Sequence, residues 1–354
     1  MEKIKPIAIH LPQFHPIPEN DQWWGKGFTE WTNVAKSKSR FKGHYQPHLP
    51  ADLGFYDLRL EEARLAQEAM AKSFGIYGFC YYHYWFNGKK VLYEPLDRKM
   101  QNPKEDFPFM MCWANENWTR VWDGSDNEIL LQQNYSEEDD RNHILHLLHY
   151  FKDERYIKVD GRPVFIIYRP KFFPDIEKTI QIFREETKKA GFPDIYIGFS
   201  QNYEHQFEPT TKGFDFAFEF QPDFKNIPLY NSLQDKLVRK AKKKLNIKDQ
   251  EQCHDYGAFA KKQLERGFSK NVYPGITPMW DNSARKKAAF ILHESTPDKY
   301  KDWLKQIKEG YPWETMPEPF LFINAWNEWA EGNHLEPCQK WGTKYLEVTK
   351  EVLG

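Results

Sequence analysis

Two glutamates near the C-terminus, Glu328 and Glu331, have the spacing of a catalytic carboxyl pair. They follow the apolar run Phe320–Ile323, which predicts a buried strand. If a helical turn begins after that strand, residues three apart share one face, with Cβ atoms roughly 5–6 Å apart. The two carboxyls of a retaining glycosidase lie about 5–5.5 Å apart. The spacing therefore predicts a sugar-cleaving site, with a capped helix start carrying two solvated acids as the alternative.

The residues around this pair suit acid–base chemistry on a sugar. Cleaving or transferring a glycosidic bond needs one carboxyl kept protonated and another kept ionised, so their environments must push the two pKa values apart. Trp326 and Trp329 are predicted to supply an apolar wall for one carboxyl. Asn324 and Asn327 are predicted to bind sugar hydroxyls or to orient a carboxylate.

About eight short apolar runs alternate with helical patterns and must position these residues. Parallel strands buried on both faces have this continuous apolar composition. The pattern predicts an α/β fold, a (β/α)8 TIM barrel forming a single domain over residues 1–354, with long loops over the C-terminal face. A doubly wound open sheet is the alternative, but no glycine-rich phosphate turn follows the first strand. The predicted strands are Pro6–Leu11, Ile76–Tyr82, Phe107–Trp113, Pro163–Tyr168, Asp194–Ser200, Phe214–Phe220, Val272–Pro278 and Phe320–Ile323.

Polar and aromatic residues follow nearly every predicted strand, where a barrel builds its active site. The segment Asp21–Pro50 lacks periodicity and is predicted to be a functional loop. Glu116 and Glu219, each at a strand end, are reserve carboxylates that a cross-barrel pair with Glu328 would use. The predicted substrate-binding residues are His10, Gln13, His15, Glu30, Trp31, Tyr82, His83, Trp85, Trp113, Asn115, Glu116, Trp118, Tyr168, Arg169, Gln201, Glu219, Trp280, Asp281, Asn282, Arg285, Asn324, Trp326, Asn327 and Trp329.

The composition excludes several classes of partner. The 50 basic and 51 acidic residues nearly cancel, which argues against nucleic acid or a membrane surface. The basic run Arg239–Lys244 is interpreted as a solvated helix face. Aromatic residues make up 17% of the chain, an excess that favours a concave, sugar-stacking site over a core alone. An oligo- or polysaccharide is therefore the predicted partner, and the oligomeric state is left open.

The four cysteines are far apart and are predicted to be reduced, which favours a cytoplasmic location. The first residues lack the apolar core of a signal peptide, and no run is long enough to cross a membrane. A secreted protein without disulfides, or one whose leader was removed, is the alternative.

Metal or cofactor chemistry is not predicted. His143, His146 and His149 recur every three residues on a predicted surface helix and are interpreted as an incidental stripe. His10 and His15 flank the first strand end, but no HExxH motif or carboxylate–histidine cluster accompanies them. No GxSxG motif for a serine nucleophile is present.

Five motifs together resemble the WbsX-like group, which is often labelled as glycosyltransferases of surface-polysaccharide clusters. That group belongs with the endo-α-mannosidase family, glycoside hydrolase family ninety-nine. The resemblance covers most of the chain, and the last motif shares Glu-Trp-x-Glu-Gly with the mannosidases, with Ala330 in place of the usual histidine. The motifs are His10–His15, Trp24–Asn33, Gly78–Phe86, Cys112–Trp118 and Asn324–Gly332.

The resemblance implies a (β/α)8 barrel and retention without a glycosyl-enzyme ester. Glu328 would take the proton from the sugar 2-OH, which attacks its own anomeric carbon to give a 1,2-anhydro sugar. Glu331 would protonate the leaving oxygen and later activate water. The leading hypothesis is thus an endo-acting retaining glycoside hydrolase of an α-linked glycan, with mannose-containing glycans as candidates.

Two other functions stay open. A glycosyltransferase of polysaccharide biosynthesis agrees with the group's label, although a DxD-type motif and a nucleotide-binding crevice are not apparent. A non-catalytic carbohydrate-binding barrel would bind saccharides without either carboxylate.

Overall fold

A computed structural model of the chain describes residues 3–119, 128–201, 207–228 and 251–354. Nine short parallel strands form one continuous sheet in the spatial order β7-β6-β5-β4-β3-β2-β1-β9-β8. The predicted basic run Arg239–Lys244 lies outside the described residues. The strands are β1 (Lys5–His10), β2 (Gly78–Phe86), β3 (Phe109–Trp113), β4 (Arg162–Ile167), β5 (Tyr196–Gln201), β6 (Phe216–Glu219), β7 (Val272–Tyr273), β8 (Gly275–Ile276) and β9 (Phe320–Ile323).

The sheet closes into a nearly complete barrel at Pro274. This residue alone separates β7, which pairs with β6, from β8, which pairs with β9. Its carbonyl oxygen accepts a hydrogen bond of 3.0 Å from the Phe322 amide. The predicted seventh strand is thus two short segments, because proline has no N–H for the ladder. The predicted α/β barrel fold is confirmed, with each of the eight predicted strands matched by one or two observed segments.

Helices surround the barrel and alternate with its strands, as the sequence predicts. Ser136 caps one of them, since its Oγ accepts a hydrogen bond of 3.1 Å from the Asp139 amide. The α-helices are Pro18–Trp24, Glu30–Lys36, Glu61–Ser73, Glu94–Gln101, Glu137–Phe151, Ile176–Lys189, Tyr256–Glu265, Pro297–Gly310 and Lys344–Leu353, and the 3₁₀ turns are Pro170–Phe172, Pro209–Lys212, Asn282–Ala284, Trp313–Thr315 and Trp329–Glu331.

The predicted loop Asp21–Pro50 is only partly a loop. Pro18–Trp24 and Glu30–Lys36 are helices of seven residues each, too short to show a helical period in the sequence. The second helix buries Glu30, Trp31 and Val34 against the rest of the protein. Tertiary packing therefore gives this segment the structure that its local sequence does not indicate.

Small sheets outside the barrel were not predicted. The largest has three strands, in which Ala289–His293 pairs in parallel with Glu251–Asp255 and antiparallel with Trp280–Asp281. Such strands of two to five residues are too short for their alternation to be recognised. The other short strands are Lys89–Val91, Trp118–Thr119, Ile129–Leu131, Lys158–Val159, Asn327–Glu328 and Asn333–His334.

Two further features concern the predicted state of the cysteines and the prediction of no membrane-spanning run. All four cysteines are free thiols. In the part of the chain that the structure describes, no helix is long and apolar enough to cross a bilayer.

Replacing Gly275 by alanine is expected to destabilise the barrel closure. A Cβ at this position would lie 1.8 Å from the carbonyl oxygen of Glu219, a backbone atom that cannot move without shifting β6. We expect Gly275→Ala to lower the free energy of unfolding by about 3 kcal/mol, the upper end for overpacking a core. Chemical denaturation of the variant and the wild type measures this loss in the free energy of unfolding.

The matched control is Gly310→Ala at the end of the helix Pro297–Gly310, where the nearest atom to a new Cβ, on Phe268, lies at an ordinary 3.5 Å. We expect a change below about 1 kcal/mol there. Equal stability of the two variants would contradict the close approach of β8 to β6.

Candidate active site

The segment that carries Glu328 and Glu331 forms a hairpin directly after β9. Asn327–Glu328 pairs antiparallel with Asn333–His334, and the 3₁₀ turn Trp329–Glu331 connects them. Because residues three apart eclipse each other in a 3₁₀ turn, Glu328 and Glu331 lie on one side of it. The expected helical turn is thus present in its tighter form. Gly332 ends it with φ +54°, and a Cβ there would lie 2.9 Å from the Cβ of Asp281.

A single guanidinium joins both glutamates to a third carboxylate. Arg285 donates to Glu331 at 2.9 Å and to Glu30 at 2.5 Å, and its Nη2 lies 3.4 Å from an oxygen of Glu328. Glu30 is fully buried and also accepts a hydrogen bond of 3.0 Å from the Ala330 amide within the turn. Three acids therefore share one cation, which holds the turn at a defined position.

Burial and mutual repulsion perturb the two hairpin carboxyls. Burial raises the pKa of Glu328 well above its usual range, and the negative charge of Glu331 raises it further. Burial also raises the pKa of Glu331, while Arg285 opposes that rise. Because the arginine lies nearer to Glu331, the unliganded site favours the proton on Glu328. One protonated and one ionised carboxyl is the arrangement that general acid–base chemistry needs.

Both carboxyls face a cavity of about 400 Å³ at the C-terminal ends of the strands. Its volume falls within the range of about 300–1,000 Å³ typical of ligand sites. Eleven predicted site residues line it: Gln13, Tyr82, Glu116, Trp118, Tyr168, Arg169, Trp280, Asn282, Arg285, Glu328 and Glu331.

Six lining residues were missed by the sequence reasoning. Tyr84 lies two residues after Tyr82 on β2 and so on the same face, a period-two signal that was available. Phe224 and Lys286 carried no comparable signal, since they follow no predicted strand end directly. The residues missed are Leu11, Tyr84, Ala114, Phe220, Phe224 and Lys286.

An ion pair forms part of the cavity wall. Glu116 accepts a hydrogen bond of 2.8 Å from Nε of Arg169. Asn115 lies behind it, fully buried, and bonds both the amide and the carbonyl of Arg169, at 2.7 and 2.9 Å. The predicted Asn115 thus braces the loops after β3 and β4, and it lines a neighbouring cavity of about 500 Å³ and not the central one.

The four uncharged residues predicted beside the glutamates lie in the core behind the hairpin. Asn327 bonds the backbone of Leu11, and Asn324 donates to the carbonyl of Gln221. Trp326 is fully buried, 5.0 Å from the ring of Phe79. Trp329 stacks on His334 at 3.8 Å. The two tryptophans and two asparagines were predicted to contact the sugar or a catalytic carboxyl. They do not line the central cavity, and their contacts instead stabilise the hairpin.

A buried carboxylate, that of Glu336, stabilises the hairpin through hydrogen bonds. Glu336 accepts hydrogen bonds from Trp329 Nε1 at 2.6 Å, from the Tyr56 hydroxyl at 2.8 Å and from Gln67 at 2.6 Å. Burial raises the pKa of Glu336 to about 7. The sequence reasoning missed this acid because it follows the motif at a distance of five residues from Glu331.

Six further residues that were predicted to bind substrate, at or after the first three strands, pack in the protein interior. His10 contacts Gln67 at 3.1 Å, His15 bonds the carbonyl of Pro12, and Trp31 donates to that of Tyr56. The remaining three form a buried aromatic cluster. The residues placed this way are His10, His15, Trp31, His83, Trp85 and Trp113.

The prediction that His143, His146 and His149 form a stripe on a surface helix is partly wrong. His143 is fully buried, 2.9 Å from His83 between ring nitrogens and stacked on Trp85 at 4.8 Å. His149 alone is exposed, as expected for a surface residue. The aromatic packing partners of His143 come from strands far away in sequence, so helical spacing did not indicate its burial. No cluster of three potential metal ligands occurs among the described residues.

Three predicted residues lie at other places on the barrel rim. Glu219 pairs with Arg266 at 2.6 Å, and burial raises its pKa to about 7. Gln201 ends β5 and is half-buried. Asp281 accepts from His44 at 2.6 Å and lines a separate cavity of about 210 Å³. Glu219 is thus paired with Arg266 and does not line the cavity that Glu328 faces. The predicted alternative of a cross-barrel pair between Glu219 and Glu328 has no support in this arrangement.

Two further spaces adjoin the central cavity. One of about 120 Å³ shares Gln13, Tyr84 and Trp118 with it and continues towards Trp23 and Trp24. Another of about 500 Å³ shares Glu116 with it. Both spaces are lined by Thr119, so they extend the central cavity on one side, across from the hairpin glutamates.

Comparison with solved structures shows the fold class. A protein described as "Glycoside hydrolase-like protein" superposes with a TM-score of 0.62 at 14% identity, covering 100% of this chain and 94% of that one. A GH99 endo-α-mannosidase from Bacteroides thetaiotaomicron gives a TM-score of 0.56 at 12% identity, covering 98% and 96%. The likeness therefore shows that these proteins share the barrel fold.

The sequence comparison shows the family. The family described as "Glycosyltransferase WbsX" matches residues 6–349, and the chain belongs to it. The "Uncharacterized protein WxcX" of Xanthomonas campestris pv. campestris strain B100 is 39% identical over 351 residues, 98% of this chain and 49% of that protein. The same relative of strain ATCC 33913 gives the same figures. The chain spans about half the length of the curated relatives it matches.

Proposed function

We propose that this protein is an endo-acting retaining glycoside hydrolase of an α-linked, mannose-containing glycan. The observation that carries the proposal is the placement of Glu328 and Glu331 on one hairpin, joined through Arg285 and facing one cavity. The likeness to an endo-α-mannosidase barrel supports the substrate class only as an analogy. The free cysteines support a cytoplasmic location as part of the same proposal.

The proposed mechanism uses the pair as base and acid. Glu328 removes the proton from the sugar 2-OH, and that oxygen attacks its own anomeric carbon to form a 1,2-anhydro sugar. Glu331 donates its proton to the leaving oxygen as the glycosidic bond breaks. Water then loses a proton to Glu331 and attacks the anomeric carbon, while Glu328 returns its proton to the 2-oxygen. Two inversions at one carbon give net retention.

This order requires a proton shift when substrate binds. Arg285 lies nearer to Glu331 than to Glu328, which favours the proton on Glu328. A sugar that enters the cavity must therefore weaken the contact between Arg285 and Glu331 before that carboxyl can act as the acid. The opposite order, with Glu328 as the acid, is the alternative.

Endo action is proposed because two further spaces extend the central cavity. Together they give room for several residues of a glycan chain and not for a single terminal sugar alone.

A glycosyltransferase is the second candidate, favoured by the description of the family. A non-catalytic binding barrel is a third, and it predicts saccharide binding that survives loss of both glutamates. The deciding experiment incubates the protein with α-mannans and bacterial surface polysaccharides, and separately with nucleotide sugars plus acceptor. We expect new reducing ends from the first incubation, with retained anomeric configuration by proton NMR. Sugar transfer in the second, without cleavage in the first, would establish the transferase.

A further inference from the structure

The cavity of about 500 Å³ beside the central one has the features of a sugar subsite. It is lined by Gln133, Tyr135 and Phe172, and it meets the central cavity at Glu116. None of these three side chains belongs to the predicted site. The cavity lies over the loops that follow β3 and β4, so it is a continuation of the same barrel face.

Gln133 lines this cavity and has an unused hydrogen-bond acceptor. The residue is only 7% exposed, and its Oε1 has no hydrogen-bond partner among the residues that the structure describes. Its Nε2 donates to the carbonyl of Asn134 at 3.2 Å, which fixes the amide orientation because a flipped amide would oppose two oxygens. An unsatisfied buried acceptor is unfavourable, and a ligand hydroxyl would satisfy it.

Phe172 brings an exposed aromatic ring to the same cavity. It ends the 3₁₀ turn Pro170–Phe172 and is 42% exposed, although phenylalanine is usually buried. Tyr135 beside it is held rigidly, since its hydroxyl donates to the Asn115 carbonyl at 2.7 Å and accepts from the Asn115 amide at 3.0 Å. Aromatic faces of this kind pack against the C–H faces of sugar rings.

The described residues that line this cavity favour a neutral ligand. Gln133, Tyr135 and Phe172 carry no charge, and Glu116 is ion-paired with Arg169. The ion pair stands at the boundary with the central cavity, so a ligand here is a direct neighbour of one at the glutamates.

We propose that this side cavity is a subsite for a neutral hexose of the same glycan chain, bound by a hydrogen bond to Gln133 and by stacking on Phe172. This proposal rests on the proposed function. It adds that the side cavity makes binding depend on the length of the glycan. A glycan reaching the subsite binds more tightly than one confined to the central cavity.

The test measures binding of linear α-mannooligosaccharides of two to five residues by calorimetry, on the Glu331→Gln background to prevent turnover. We expect affinity to rise about tenfold at the length that reaches the subsite, the equivalent of about one or two hydrogen bonds. Phe172→Ala and Gln133→Leu should each remove most of this gain and leave disaccharide binding unchanged.

Phe55→Ala is the matched control, because Phe55 is 57% exposed and packs on Trp31 away from this cavity. A length gain that survives in both Phe172→Ala and Gln133→Leu would overturn the subsite while the proposed function stands. No binding at any length would overturn the subsite together with the mannose-containing substrate class. Release of reducing ends from α-mannan by the wild type reports on the function separately.

Discussion

Glu331→Gln and Glu328→Gln are each expected to lower kcat for glycan cleavage by about 10²- to 10⁴-fold, the range for loss of a general acid or base. The amide keeps the size of the side chain but neither donates nor accepts the catalytic proton. Reducing-end release from the glycan that the wild type cleaves measures the effect. Glu309→Gln, an exposed change on the helix Pro297–Gly310, is the matched control and should retain full activity.

An α-glycosyl fluoride distinguishes the two roles, because fluoride leaves without protonation. If Glu331 is the acid, Glu331→Gln should release fluoride in its first turnover at a rate close to that of the wild type, whereas Glu328→Gln should remain inactive on both substrates. The reverse pattern would assign the acid to Glu328, in agreement with the nearer contact of Arg285 to Glu331. Normal glycan turnover in either variant would rule out the carboxyl-pair mechanism.

Arg285→Met is expected to destabilise the fold by about 3–5 kcal/mol near neutral pH, as for other buried ion pairs that lose one partner. The change leaves Glu30, Glu328 and Glu331 without their shared cation, and the side chains of Glu30 and Glu328 are 0% and 7% exposed. Denaturant unfolding measures the loss. Lys286→Met is the matched control, since it removes the same charge from the adjacent, exposed residue, and a loss below about 1 kcal/mol is expected.

The loss should depend on pH in a defined direction. Without the arginine, the pKa values of Glu328 and Glu331, already raised by burial, should rise further above their unfolded values. Such acids destabilise the folded state fully above the folded pKa and cease to do so below the unfolded pKa of about 4.3. The difference between Arg285→Met and the wild type should therefore shrink as pH falls towards 4. Adding Glu30→Gln should restore part of the stability, and a pH-independent loss would indicate a packing defect instead.

The barrel and the position of its acid pair could be predicted from local patterns in the sequence. Continuous apolar runs such as Phe320–Ile323 can be buried on both faces only in a covered parallel sheet, and polar residues after them must lie at one rim. The spacing of Glu328 and Glu331 then places both acids on the same turn, because that relation is local.

Local patterns could not predict which rim residues face the cavity, because long-range contacts set the direction of these side chains. Arg285 and Glu30 are 255 positions apart, and their bond is a long-range contact that no local pattern encodes. Trp326 and Asn327 stand within the motif yet face the core, since a hairpin directs some side chains inwards, whereas Gln133 and Phe172 meet in a cavity although neither follows a predicted strand directly. Side-chain direction depends on how the loops cross one another, and that is settled by packing across the whole chain.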